Sequence, residues 1–149
     1  MKKIIILGSF ALILALAACG GKKGARSDYD STTNGSGAEK VLDSVYFDFD
    51  QSTIRGDQIS VMKSNISTLK DKSKLKVTIE GHCDDRGTNE YNLALGDRRA
   101  RASYDYLINT GIDPSRLSTI SYGEERPVCT QSDESCWWKN RRDDFVKGK

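Results

Sequence analysis

The spacing of apolar positions along this chain changes several times, and each change marks an element. From Ile4 to Leu16 the chain is apolar with only Gly8 and Ser9 interrupting, a run too short to span a bilayer comfortably as a permanent helix. Between Gly20 and Lys40 there is almost nothing to bury. In SVYFDFDQ, Val45, Phe47 and Phe49 alternate with Tyr46, Asp48 and Asp50, the period of a strand with one core face and one acidic face. Ile59, Met62, Ile66 and Leu69 then fall on one stripe opposite Lys and Asp, which predicts an amphipathic helix of about four turns. LKVTIEG alternates again through Leu75, Val77 and Ile79, and Gly81 ends it. After the loop HCDDRGTN, the segment from Glu90 to Asn109 reads as a long helix with Leu93, Gly96, Ala100, Tyr104 and Leu107 in one stripe and Gly111 as its stop. The small residues Gly96 and Ala100 would let that helix lie close to a sheet. SRLSTISYG gives a third strand, Gly123 and Pro127 turn the chain, and WWKNRRDDFVK supplies a short helical turn leading into a fourth strand. This order predicts an α+β fold with two long helices packed on one face of a mixed four-stranded sheet. No internal repeat is present.

Composition adds a compartment. Lys2 and Lys3 ahead of the apolar run, with Ala17 and Ala18 behind it, make residues 1–18 a signal peptide. Leu16-Ala17-Ala18-Cys19 resembles the bacterial lipobox, in which the Cys becomes the first mature residue and carries lipid; a multiply acylated Cys19 satisfies the requirement of stable anchoring for more than one chain. No Asp follows Cys19, so the expected destination is the outer membrane, facing the periplasm. Residues 19–40 then form a lipidated, Gly- and Ser-rich tether that spans roughly 25 Å as a coil and at most about 70 Å extended. Residues 41–149 form one globular domain, which suits a chain of 149 residues with 37% apolar composition. Losing residues 1–18 removes two of 23 basic residues and none of 21 acidic ones, so the mature charges balance and nucleic acid is excluded as a partner. In an oxidising space, Cys129 and Cys136, which flank the polar loop TQSDES, are paired, and Cys83 remains a thiol.

The chemistry concentrates in GHCDDRGTNEYNLALGDRRA, Gly81 to Ala100. Consecutive residues leaving a strand point to alternate sides, so His82, Cys83, Asp84 and Asp85 cannot converge on one ion, and the chain has one His. His82 is expected instead to hydrogen-bond a neighbour at the strand end. A nucleophilic Cys83 would need a base, yet that His is its neighbour and points away. Asp84 and Asp85 lie in a polar loop beside Arg86, not in the apolar pocket that raises a catalytic carboxyl. Neither a metal, a cofactor nor an enzyme is expected. Asp84 past the second strand and Arg99 on the long helix remain as a clamp, with Asn92 two turns and about 10 Å from Arg99 on the same face. A carboxylate and a guanidinium across a groove suit a zwitterion, although the same spacing also allows a plain surface salt bridge between them. On either reading both lie off the core stripe, and truncating either is expected to leave folding nearly unchanged.

VYFDFDQSTIR, GHCDDRGTNEYNLALGDRRA, ISYGEERPV and KNRR together resemble the OmpA-like C-terminal domain family over about residues 45–142, and ALGDRRA is similar to its lipoprotein branch. The resemblance implies non-covalent binding of peptidoglycan through the diaminopimelate residue of the stem peptide. Asp84 would hold the ammonium and Arg99 the carboxylate, with Asp50, Tyr91, Asn92 and Leu95 lining the groove. It also implies a place in the Tol-Pal system of cell envelope integrity and division, with a TolB-like β-propeller and other Tol proteins as partners. Cys83 stands where the family has Ala or Thr, and Asp143 and Asp144 stand where its last strand is more apolar. The first of Trp137 and Trp138 is expected to pack the domain. The alternatives are a structural periplasmic lipoprotein contacting only proteins and, less favoured, a periplasmic hydrolase.

Overall fold

A computed structural model describes residues 38–149. The signal peptide, Cys19 and nearly all of the tether lie outside the described residues. Seven main elements follow in the order β1 (Lys40–Tyr46), α1 (Ile59–Asp71), β2 (Val77–His82), α2 (Asn89–Asn109), β3 (Leu117–Gly123), α3 (Glu134–Asn140) and β4 (Arg142–Lys147). The sheet order is β1-β4-β2-β3. β2 and β3 are parallel, while β4 runs antiparallel to both β1 and β2, so the sheet is mixed. The α+β architecture is the one the apolar periods predict.

Met62, Ile66 and Leu69 of α1 and Ala100 and Leu107 of α2 share one core with Val77 and Ile79 of β2 and Phe145 of β4. Asn65 is buried among the apolar residues of α1 because its amide accepts from Asp43 N and donates to Asp43 O, which fixes α1 to β1. On α2, Thr88 caps the first turn by accepting from Tyr91 N at 3.2 Å. Gly96 of α2 and Gly81 of β2 meet back to back, and a Cβ on Gly81 would overlap the Gly96 carbonyl. The close approach expected from Gly96 is therefore real, and it sets the height of α2 above β2.

Two boundaries differ from the sequence reading, and a third left open is settled. β1 begins at Lys40, and its alternation stops after Phe47: the chain turns through Asp48 to Gln51, Asp50 adopts φ +55°, and Phe49 is left 53% exposed instead of in the core. β2 runs one residue past Gly81 to His82, because pairing with β3 continues to Gly123. β4 continues through Asp143 and Asp144, which register opposite Gly81 and Glu80 of β2. The strand period sends Asp143 to the helix side, where it is fully buried, and Asp144 to the other face beside Arg142.

Candidate functional site

A cleft of about 210 Å³ opens where the C-terminal end of β2, the first turns of α2 and the turn after β1 meet. Asp50, Asp84, Tyr91, Asn92, Leu95 and Arg99 all line it, and so do Phe49, Arg86 and Arg141. Leu95, buried, supplies an apolar wall.

Asp84 and Arg99 do not touch, and neither is on the surface. Asp84 is buried and pairs with Arg86 Nη2 at 2.6 Å and Arg141 Nη1 at 3.1 Å, so the plain salt bridge to Arg99 is not formed. Burial alone would raise its carboxyl, but the hydrogen bonds from Arg86 and Arg141 outweigh it and hold the carboxyl below the usual range. Its Oδ1 receives only the Arg86 main-chain N–H, at 3.3 Å, and so keeps acceptor capacity.

Arg99 is wholly buried. Its Nε donates to Gln51 O at 2.8 Å, Nη1 to His82 O at 2.8 Å and Nη2 to Asp48 O at 3.1 Å, and the guanidinium stands over the Phe47 ring at 5.2 Å. All three oxygens are neutral, and among the described residues no carboxylate lies within ion-pair distance of it. Burial lowers its pKa, as expected for a charge without a contact counter-ion. The expectation that truncating Arg99 or Asp84 would leave folding nearly unchanged is corrected here. The turn Asp48 to Gln51 folds over α2 and encloses a face that the helical pattern alone assigns to solvent.

Asn92 braces the loop: its amide nitrogen donates to Asp84 O, Arg86 O and Glu124 Oε2. Gly87, at φ +120°, makes that loop close. Tyr91 is exposed and donates its hydroxyl to the Asp50 carboxylate, closing the rim of the cleft.

Sequence reasoning missed Arg86, Arg141 and Phe49 as site residues. The Arg86 guanidinium is held between the Phe49 ring, 3.8 Å from its centroid, and the Trp137 ring, 4.1 Å away. This stacking accounts for the exposed Phe49 and for the half-buried Trp137. Arg141 was part of a quoted motif, but its bond to a carboxylate 57 positions earlier has no signature in spacing.

His82 departs from expectation in its ring. Among the described residues neither ring nitrogen has a hydrogen-bond partner; Nε2 lies 3.9 Å from Glu80 and 3.8 Å from Asp144. Burial, aided by the Arg142 charge, pushes its pKa down to about 3, so the ring is neutral, stacked on Tyr122. His82 acts on the cleft through its carbonyl, which holds the Arg99 guanidinium. Cys83 is a buried free thiol that donates to Asn92 O, and burial pushes it up to about 11, which removes thiolate chemistry. Cys129 and Cys136 form the disulfide, holding the loop ahead of α3.

The OmpA family model matches residues 46–141. The chain is 41% identical over 147 residues to the Peptidoglycan-associated lipoprotein of Mesorhizobium japonicum, covering 92% of this chain and 88% of that protein. To the Peptidoglycan-associated lipoprotein of Haemophilus influenzae it is 40% identical over 152 residues, covering 95% and 94%. Among solved structures, the peptidoglycan-associated lipoprotein from Burkholderia pseudomallei aligns with a TM-score of 0.68 and 38% identity, over 70% of this chain and 89% of that one. The C-terminal domain of Helicobacter pylori MotB, 21% identical, shares the fold with a TM-score of 0.67 over 73% of this chain and 86% of that one.

Proposed function

The chain belongs to the OmpA family, and from that premise we propose that it is an outer-membrane lipoprotein that holds peptidoglycan non-covalently through the diaminopimelate residue of the stem peptide. It is not an enzyme: its curated relatives are named for an association with peptidoglycan. The observation that carries the reading is Arg99, a buried guanidinium lining a cleft with three neutral carbonyl partners and no carboxylate in contact. Arg has five N–H donors in a fixed fork; three go to carbonyls and a fourth reaches Cys83 Sγ in a long 3.5 Å contact, so one free donor and one weakly held donor remain for an incoming carboxylate. The free capacity of Asp84 Oδ1, with Asp50 at the rim, receives the ammonium. Leu95 and Tyr91 flank the aliphatic part of the ligand, and Asn92 and Arg141 keep Asp84 in place.

Diaminopimelate differs from lysine by the carboxylate beside the side-chain ammonium, and that group is the one assigned to Arg99. Calorimetric titration of the full chain with two muropeptides, one carrying diaminopimelate and one carrying lysine, tests this. Binding of the first should exceed that of the second by at least about 30-fold, the equivalent of roughly 2 kcal/mol for a charge-assisted bond. Equal affinities, or no binding of either, would sink the reading. Membership of the Tol-Pal system, with a TolB-like propeller as partner, is part of the proposal and rests on the family. A lipoprotein that contacts only proteins would bind neither muropeptide.

A further inference from the structure

The last strand carries a carboxyl that the cleft does not display. Asp143 of β4 is fully buried and faces α2, where Ser103 donates to its Oδ2 at 2.5 Å; among the described residues its Oδ1 has no hydrogen-bond partner. Ser103 stands one helical turn beyond Arg99, so the two project from the same side of α2. In the sheet, Asp143 pairs with Gly81, and the residue after Gly81 gives its carbonyl to Arg99 at 2.8 Å. Asp143 is therefore fixed behind Arg99 from the helix side and from the strand side, away from the mouth of the cleft.

We propose that Asp143 is the hidden counter-charge of the Arg99 subsite, and that a ligand carboxylate seated on Arg99 binds with uptake of a proton by Asp143. The inference rests on the reading of the cleft as a carboxylate site. Two anions cannot both neutralise one buried guanidinium at low cost. With Asp143 protonated, Arg99 is uncompensated and attracts the ligand carboxylate. With Asp143 ionised, Arg99 is already matched, and the ligand meets a second negative charge behind it. Binding thus raises the proton affinity of Asp143, and the proton comes from solvent or buffer.

The surroundings place this exchange near neutral pH. Burial pushes the Asp143 carboxyl up to about 8, against the lowering effects of Ser103 and Arg99. The groups facing it are Ser103 and Arg99 of α2 and the Cys83 thiol just past β2, and its own strand adds Asp144, which raises it, and Arg142, which lowers it. Its Cα partners, Gly81 on β2 and Val45 on β1, bring no charge. Cys83, at about 11, does not titrate in the same range.

The test is calorimetric titration of the detergent-solubilised full chain with diaminopimelate muropeptide between pH 6.5 and 8.5, in two buffers of different ionisation enthalpy. If the ligand raises Asp143 by about one pH unit, affinity should fall roughly threefold across that range and tend to tenfold above it. A fraction of a proton should be taken up per ligand at pH 8, and almost none at pH 6.5. Asp143→Asn should flatten the profile and abolish the uptake. Ser103→Ala, which removes a bond that lowers the carboxyl, should move the fall to higher pH, and it serves if the Asn variant does not fold. Binding at pH 6.5 with a flat wild-type profile and no uptake would overturn this inference alone. Absence of binding at pH 6.5 would overturn the carboxylate reading of the cleft, and this inference with it.

Discussion

Truncating Arg99 to Ala would take the guanidinium donor from the carbonyl oxygens of Gln51 and His82, while Asp48 O would keep the Gln51 N–H. At about 1 kcal/mol for each of these two acceptors, the variant should lose on the order of 2 kcal/mol, seen as a fall of roughly 8 °C in thermal midpoint. A midpoint within two or three degrees of wild type would mean that Arg99 does not brace the turn over α2. On the proposed reading binding and folding are coupled at this residue, so a ligand lacking the carboxylate tests its role more cleanly than its own deletion. Asp143 and His82 give the molecule two opposite pH slopes. For Asp143 the folded pKa lies above the unfolded value of 3.8, near 8, so the folded state holds the extra proton and stability falls as pH rises between those limits. For His82 the folded value, about 3, lies below the unfolded 6.5, so stability rises with pH across that lower window. Between about pH 6.5 and 8 only the Asp143 slope remains. Urea unfolding should show wild type losing stability there while Asp143→Asn does not; parallel slopes in both proteins would refute the assignment.

At the scale of elements, the seat of α2 on β2 decides where the cleft residues stand. Gly81→Ala would drive a Cβ into the main-chain carbonyl oxygen of Gly96, whereas a Cβ on Gly96 would meet the side-chain oxygen of Ser121 first and the Gly81 carbonyl oxygen only at 2.9 Å. A side chain can rotate away and a helix backbone cannot, so Gly81→Ala should cost more, about 3 kcal/mol or above, and should also weaken muropeptide binding by displacing Asn92 and Arg99. If Gly96→Ala proves the more damaging, the close approach is not what sets the helix height. The Cys129–Cys136 bridge closes a loop with a separation of seven residues ahead of α3. In the chain-entropy picture it contributes about 2.5 kcal/mol, although Asn140 also holds this loop through Val128 N, Cys129 N and Cys129 O. Cys129→Ser with Cys136→Ser should therefore lower stability by at most that amount while leaving binding intact. Loss of muropeptide binding in the double variant would show instead that the bridge holds Arg141 and Asp84 in register. The helices themselves were legible in advance because Met62, Ile66 and Leu69, or Gly96, Ala100 and Leu107, follow one periodicity. The end of β1 was not, because FDFD keeps alternating after the backbone has already turned.

On the proposed reading, the whole molecule joins a domain that holds peptidoglycan to a lipid that holds the membrane. Cys19, ahead of a polar stretch, is the proposed anchor, and Cys19→Ser is expected to give an uncleaved or soluble precursor absent from the outer-membrane fraction. Mass spectrometry of the mature N-terminus checks it directly, and an unmodified Cys or cleavage at another site would refute the anchor. Such a variant should still bind muropeptide in solution, since the described residues that line the cleft run from Phe49 to Arg141.

By itself, the sequence determined the periods of burial, hence the helices, strands and mixed sheet, and it determined which charged types stand at the end of β2 and along α2. Those features are local: a period, a glycine, a cap. It also supplied the charge balance and the pairing of two nearby cysteines. The state of those charges depends on the packing of distant segments. Arg99 is buried because a turn from residue 48 to 51 closes over it, and Asp84 is shared by Arg86 and Arg141 because α3 delivers Arg141 beside β2. Asp143 faces inward because β4 pairs in one register and not the next, a choice that moves every side chain of the strand from one face to the other. Spacing along a chain carries no information about which distant segment will cover a side chain, and burial by distant segments is what turns an ordinary surface arginine into a site.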